Sequence, residues 1–197
     1  LKNQQDIDQN YQNGLLPQRN APDTFYSDTS SRTRLDNLEL SSENRRILRK
    51  TDQFSFRRLP LTRFDFTPSV QRQIKNWVKS LGWNFPVSSI RTIFTSHIFN
   101  YVYLWSDSSD RTVAYAICYF SPQISHIAYV FYDPAFSHGD LPIRLTLQAV
   151  IDSHRLGLKY CYLGRFSPPL GYYKRNMPGF EYFEKGSWIP YNSSNGT

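Results

Sequence analysis

Between Pro68 and Gly82 the apolar residues Val70, Ile74, Trp77, Val78 and Leu81 fall at i, i+4, i+7, i+8 and i+11. That is one continuous stripe of helical period, opened by a proline and closed by a glycine. A second stripe predicts a helix from about Leu141 to Leu156, with Ile143, Leu147, Val150, Ile151 and His154 on one side and Gly157 as its cap. A shorter helix is expected over Ser88 to His97. Another, starting at Ser41 or Ser42 and ending near Thr51, has a serine cap, Glu43 in its first turn, and only Ile47 and Leu48 as an apolar stripe. The rest of the apolar pattern is strand-like. "QFSFRRLPL" alternates; "IFNYVYLW", "RTVAYAICYF" and "SHIAYVFYD" follow one another across the turns "SDSSD" and "SPQI". "KYCYL" reads as a short buried strand, and "FEYFEKGSWIPY" as a strand pair around a glycine turn. Leu1 to Asn13 is polar and expected to fray, and Gly14 to Leu38 reads as loops and short strands. The order of helices, antiparallel strands, helix and strands predicts an α+β layer architecture, a mixed sheet flanked by helices.

Composition narrows the class. The chain has 197 residues, 40% of them hydrophobic and 16% aromatic, enough for a sizeable core in one domain. No run of 18 apolar residues and no basic-then-apolar leader occurs, so no membrane partner is expected. Cys118 and Cys161, each among apolar or aromatic neighbours, read as two buried thiols; a reducing, cytoplasmic setting is expected. Two cysteines exclude a cysteine-based zinc or iron–sulfur centre, and no metal site is expected.

Charge is unevenly placed. The total is +7, yet Arg32 to Arg91 holds 13 Lys/Arg against five Asp/Glu, so essentially all the excess lies in this third of the chain. Such asymmetry favours a polyanionic partner. Its densest stretch is "LSSENRRILRK", where Arg45, Arg46, Arg49 and Lys50 share about one and a half turns. Like charges at that spacing repel, so anions are expected against them.

Chemistry-bearing motifs are sparse. There is no Walker loop, GxGxxG, HExxH or GxSxG. The turn "YDPAFSHGDLPIRL" holds one glycine, and Pro142 removes an N–H, so a pyrophosphate cradle for coenzyme A is not expected. The four histidines, 97, 126, 138 and 154, lie on separate elements. Asp133 follows an apolar strand and precedes a proline, at a strand end where ligands collect in α/β layers, or where a carboxylate caps a turn.

"FYDP", then "HRLGLKYCYLG", then "YYK", then "FEYFEKGSW" resembles, in order and spacing, the C-terminal catalytic region of the arginyl- and leucyl-tRNA–protein transferases. "SSENRRILRK" resembles the Arg-rich helix that precedes that region, so the likeness covers Ser41 to Tyr191. It implies a GNAT-like fold and an aminoacyl-tRNA donor. It also implies transfer of an amino acid, arginine or else leucine, to an amine of an acceptor protein or peptide, often an acidic N-terminus. Aminoacyl-tRNA is then a substrate, and no cofactor is expected. On this resemblance the catalytic candidates are Asp133 to orient an amine, with Tyr162, Tyr173 and Lys174 lining the acceptor–ester junction. The tRNA-facing candidates are Arg45, Arg46, Arg49, Lys50 and Ser42, unless some of these arginines pair with Asp133 or Glu181 instead.

The sequence departs from the family in three places. No cysteine precedes Cys118 where the family has a cysteine-containing N-terminal domain, "RFSPPLGYYK" is shorter, and Leu141-Pro142-Ile143 stands where Leu-Gly-Thr is the family's pattern. The expected organisation is a shortened, partly irregular segment over 1–40, a GNAT-like aminoacyltransferase domain over 41–191, and a flexible tail over 192–197. Two other readings stand beside it. One is a GNAT-like module that binds tRNA or acidic peptide termini without transfer. The other is a FemX-like peptidoglycan aminoacyltransferase, which shares the aminoacyl-tRNA donor but acts on a lipid-linked amine.

Overall fold

A computed structural model describes residues 3–83, 85–169 and 171–191; the expected tail over 192–197 lies outside them. In chain order the elements are α1 (Gln4–Gln12), β1 (Leu15–Pro17), β2 (Phe25–Ser27), β3 (Ser30–Arg34), α2 (Ser42–Lys50), β4 (Ser55–Pro60), α3 (Pro68–Ser80), α4 (Val87–Thr95), β5 (Tyr101–Ser106), β6 (Thr112–Phe120), β7 (Ile124–Tyr132), α5 (Leu141–Arg155), β8 (Tyr160–Arg165), β9 (Phe180–Glu184) and β10 (Ser187–Pro190). The helices start where local chemistry starts them. Thr67 caps α3 by accepting from the Val70 N–H, and Pro68 occupies its first turn. Ser41 caps α2 in a reciprocal box with Asn44.

Eight strands form one mixed sheet in the order β10-β9-β3-β8-β7-β6-β5-β4. Every neighbouring pair is antiparallel except β7 with β8, which α5 connects as a crossover. Both faces are covered. On one, α2 and α5 bury Ile47, Leu145, Leu147 and Val150 with Trp105, Cys118 and Leu163 of the sheet. On the other, α1, α3 and α4 bury Tyr11, Ile74, Trp77 and Ile93 with Val102, Ile117 and Tyr162.

The N-terminal residues differ from expectation. Leu1 to Asn13 reads as a frayed segment, yet it holds α1: Asn3 caps it, and Ile7 and Tyr11, at i and i+4, are both buried. Two apolar residues are too few for a periodic signal, but a 0% exposed tyrosine anchors the helix. Residues 30–34 are not peripheral, because β3 sits inside the sheet, paired with β8 on one side and β9 on the other. His154, expected among the packing residues of α5, is exposed and meets the Leu35 carbonyl through Nδ1 at 2.8 Å. Cys118 and Cys161 are free and buried in strands, as expected. Among the described residues no helix is long and apolar enough to cross a membrane.

Candidate active site

The one parallel pair in the sheet comes apart. β7 and β8 are in register only over Ile124–His126 and Tyr160–Tyr162, although β7 continues to Tyr132 and β8 to Arg165. A bulge in β7 accompanies the split: Ile117 faces Tyr129 and Cys118 faces Ile127, which leaves Ala128 as the extra residue. The bulge sends Ala128 and Tyr129 to the same face, the one covered by α1, α3 and α4, while Ile127 and Val130 face α5. Cavities occupy the gap on both faces. The one toward α5, about 260 Å³, runs from Trp83, Tyr132 and Pro142 to Thr146 and Tyr173. The other, about 230 Å³, lies among Leu16, Tyr26, His126, Tyr129, Gly164 and Arg165. Ala128, Leu163 and Lys174 line both, so the split is a passage through the sheet with Lys174 at its centre.

Lys174 and Tyr173 reach the passage from the short 3-10 helix Tyr172–Asn176, which Gly171 opens in the left-handed region at φ 77°. The resemblance pointed to both, which are neighbours in sequence, and both line the cavity toward α5. Tyr173 stays 37% exposed at the mouth. The Lys174 ammonium donates to the Arg165 carbonyl at 2.6 Å, and burial lowers its pKa to about 8. Beside it stands His126, 3% exposed, with Nδ1 2.8 Å from the Tyr11 hydroxyl and Nε2 without a partner among the described residues. Burial and the Lys174 charge hold its pKa down at about 3, so the ring is neutral. Gly164 lies between the two. A Cβ there would stand 3.5 Å from His126 Nε2 and 3.9 Å from Lys174 Nζ. At φ 77° the position also resists any other residue.

Tyr162 and Asp133 are not brought to this junction. Tyr162 faces the opposite way from Leu163, as alternation in β8 requires, and is 0% exposed. Its hydroxyl accepts from Arg32 Nη1 at 3.3 Å. Arg32 is in turn paired with Glu181 at 2.7 Å and layered between the rings of Tyr160 and Trp188 at 3.7 and 4.0 Å. This buried ion pair is completed by neighbours, so loss of either partner would leave an uncompensated charge. Asp133 closes the turn Pro134–Phe136: one oxygen accepts from the Ala135 N–H at 3.0 Å, and the other meets Arg111 at 3.4 Å.

The cations of α2 divide by role. Arg46 bridges Glu43 and Asp140, donating to their carboxylates at 2.6 and 3.0 Å, and this raises its pKa further. The acid partners anticipated for this helix, Asp133 and Glu181, are held by Arg111 and by Arg32 with Arg34. Arg45 donates to the Leu40 carbonyl at 2.6 Å. Arg49 and Lys50 stand exposed in the last turn, where they suit the helix dipole, and Ser42 is exposed in the first. The helix also buttresses the passage, since the Asn44 amide donates to the carbonyl of Asn176, beside Lys174.

Sequence reasoning missed His126, Arg19 and Arg165. Arg165 faces Asp28 at 3.1 Å, and with Arg19 it lines a further cavity of about 440 Å³ that shares Tyr26 and Tyr129 with the His126 cavity. The histidine carried one signal, a polar ring on the inward face of an otherwise apolar strand. The N-terminus of α5 does not suit a pyrophosphate: Pro142 lacks an N–H, and Asp140 already places a carboxylate there.

No protein-family model matches the chain, and no curated protein does. Solved structures match its shape at low identity. The C-terminal domain of a putative lysylphosphatidylglycerol synthetase from Agrobacterium fabrum has a TM-score of 0.52 at 12% identity, over 70% of this chain and 46% of that one. FemX has a TM-score of 0.58 at 10% identity, over 98% of this chain and 70% of that one. A GCN5-related glucosamine N-acetyltransferase region of a fungal β-N-acetylglucosaminidase has a TM-score of 0.51 at 13% identity, over 79% of this chain and 19% of that one. The chain spans about half the length of the synthetase domain. What these likenesses show is the fold: the mixed sheet flanked by helices is GNAT-like.

Proposed function

We propose that the chain is an aminoacyl-tRNA-dependent transferase that adds an amino acid, arginine or else leucine, to an amine of a protein or peptide, in the first place an N-terminus. The observation that carries this reading is the passage between β7 and β8, with a cavity on each face and Lys174 common to both. Two substrates entering from opposite faces meet there without crossing. The motif series from "FYDP" to "GSW" supports the donor. So do the structural neighbours: FemX represents the class that shares that donor, and the synthetase is named for a product carrying a lysyl group.

The chemistry asks little of the protein. An aminoacyl ester is already activated, and an α-amino group with pKa near ~8 is partly neutral at physiological pH. Its nitrogen attacks the ester carbonyl and forms the C–N bond, while the π electrons move to oxygen. Lys174, with N–H groups left over from its bond to Arg165, is placed to meet that negative charge. Collapse breaks the C–O bond to the tRNA ribose, which leaves with the proton the amine gave up. Tyr173 lines the entrance, and alignment of amine and ester supplies much of the rate. Arg49 and Lys50 are free to meet phosphate, and Arg19 adds positive charge to the far cavity, where Arg165 is paired with Asp28.

One observation favours the non-catalytic module instead: Asp133 and Tyr162 are both engaged away from the passage. The deciding experiment incubates the purified protein with radiolabelled arginyl- and leucyl-tRNA and peptides with different N-termini. A gain of one amino acid in peptide mass is expected. Salt-sensitive tRNA binding without any gain would replace the transferase by the binding module.

A further inference from the structure

His126 is a buried polar group that the reaction above does not use, with a ring nitrogen unpartnered among the described residues. Among the described residues its Nδ1 meets only the Tyr11 hydroxyl, at 2.8 Å, and that hydroxyl has no other partner. Tyr11 is 0% exposed and packed against the rings of Phe25, Tyr119 and Tyr162, so its O–H proton has one acceptor available, Nδ1. A neutral imidazole that accepts at Nδ1 carries its proton at Nε2. That N–H has no acceptor among the described residues, and it stands within 4 Å of the same point above Gly164 that Lys174 Nζ approaches.

We propose that His126 Nε2–H and Lys174 Nζ–H form a paired-donor site over Gly164 for the carbonyl oxygen of the transferred acyl group, with Tyr11 fixing the tautomer. This rests on the transferase reading. The two donors grip the oxygen hardest when the C–N bond has formed and the oxygen bears the electron pair, and they release it as the C–O bond to the ribose breaks. Glycine at 164 keeps the space between them open, and the low pKa of His126 keeps the ring a neutral donor that holds no proton in reserve. His126 is then a catalytic residue, and Tyr11 a positioning residue acting through it.

The imidazole itself is the first test. In protein labelled with nitrogen-15 histidine, Nε2 of His126 is expected as the protonated nitrogen and Nδ1 as the bare one. The reverse pattern, or a doubly protonated ring, overturns the proposal. Tyr11→Phe removes only the hydroxyl and is expected to release the tautomer and lower kcat about tenfold. His126→Gln, if its unfolding midpoint shows it folded, is expected to lose on the order of 100-fold in kcat at nearly unchanged KM. If wild type transfers and folded Tyr11→Phe keeps both its kcat and the tautomer, the donor pair is wrong while the transferase reading stands. If wild type transfers nothing, that reading falls, and acetate becomes the probe. An Nε2 resonance that moves on adding acetate keeps the oxygen site, and one that does not move overturns it.

Discussion

The role proposed for Lys174 rests on its surroundings. Burial lowers its pKa to about 8, close to that of the α-amino group it would serve, and the two groups must be in opposite states. The acceptor has to lose its proton, and Lys174 has to keep its own. Transfer should therefore rise with pH and then fall, in a bell centred near pH ~8. Lys174→Arg, always charged, is expected to move the alkaline limb out of the measurable range, which a pH–rate profile checks. The same shift has a stability consequence of known sign. The unfolded chain holds the Lys174 proton up to about pH 10.4, the folded chain only to about pH 8, so U binds more protons in that window and stability rises with pH across it. In Lys174→Met that rise should be smaller, as denaturant midpoints on either side of the window would reveal. Asp133 behaves as a capping residue. Asp133→Ala, which strips the acceptor from the Ala135 N–H, is expected to cost about 0.5–2 kcal/mol in denaturant unfolding. A loss of turnover far beyond that would return Asp133 to the reaction. At this scale the sequence marked Tyr173 and Lys174 through a resemblance, while His126 was hidden inside a strand whose alternation reads as core.

The basic helix α2 shows what an element hides until it is packed. Its cap, its boundaries and its crowded cations were legible, because each depends on neighbours a few residues away. Which arginine does what was not, since Asp140, the acid that claims Arg46, lies 94 residues along the chain. The division predicts separable effects. Arg46→Ala should lower the unfolding midpoint by loosening α2 from α5, with little change in how tRNA binding depends on salt. Arg49→Ala or Lys50→Ala should each reduce the slope of log K against log salt by about one and leave the midpoint nearly unchanged. Binding titrations at several salt concentrations, beside thermal unfolding, distinguish the two. If Arg49 and Lys50 leave the slope alone, their charge serves the helix terminus and nothing outside the protein. The bulge at Ala128 belongs to this scale as well: one extra residue in β7, and another at Leu163 in β8, flank the place where the strand pair gives way to two cavities.

As a whole the molecule closes around its N-terminal residues. β3 joins β8 to β9, so the strand pair β9–β10 reaches the main sheet only through Ser30–Arg34. A chain that begins after Arg34 is expected to lose cooperative unfolding and to leave β9 and β8 as open edges prone to association, visible as broadened transitions and aggregation. Retained cooperative unfolding of that chain would mean the sheet can close without β3. The sequence by itself determined the helices α3 and α5, the antiparallel run from β5 to β7, the α+β layering and the positive third of the chain, because periodicity and charge are local properties. Tertiary structure alone decided that a five-residue polar segment becomes an interior strand, and that Tyr162 and Asp133 turn away from the passage. It also decided that a lysine and a histidine from distant elements approach the same point over Gly164. Those outcomes depend on which backbone edges remain unpaired and on what each side chain finds once buried, and no window along the chain contains that information.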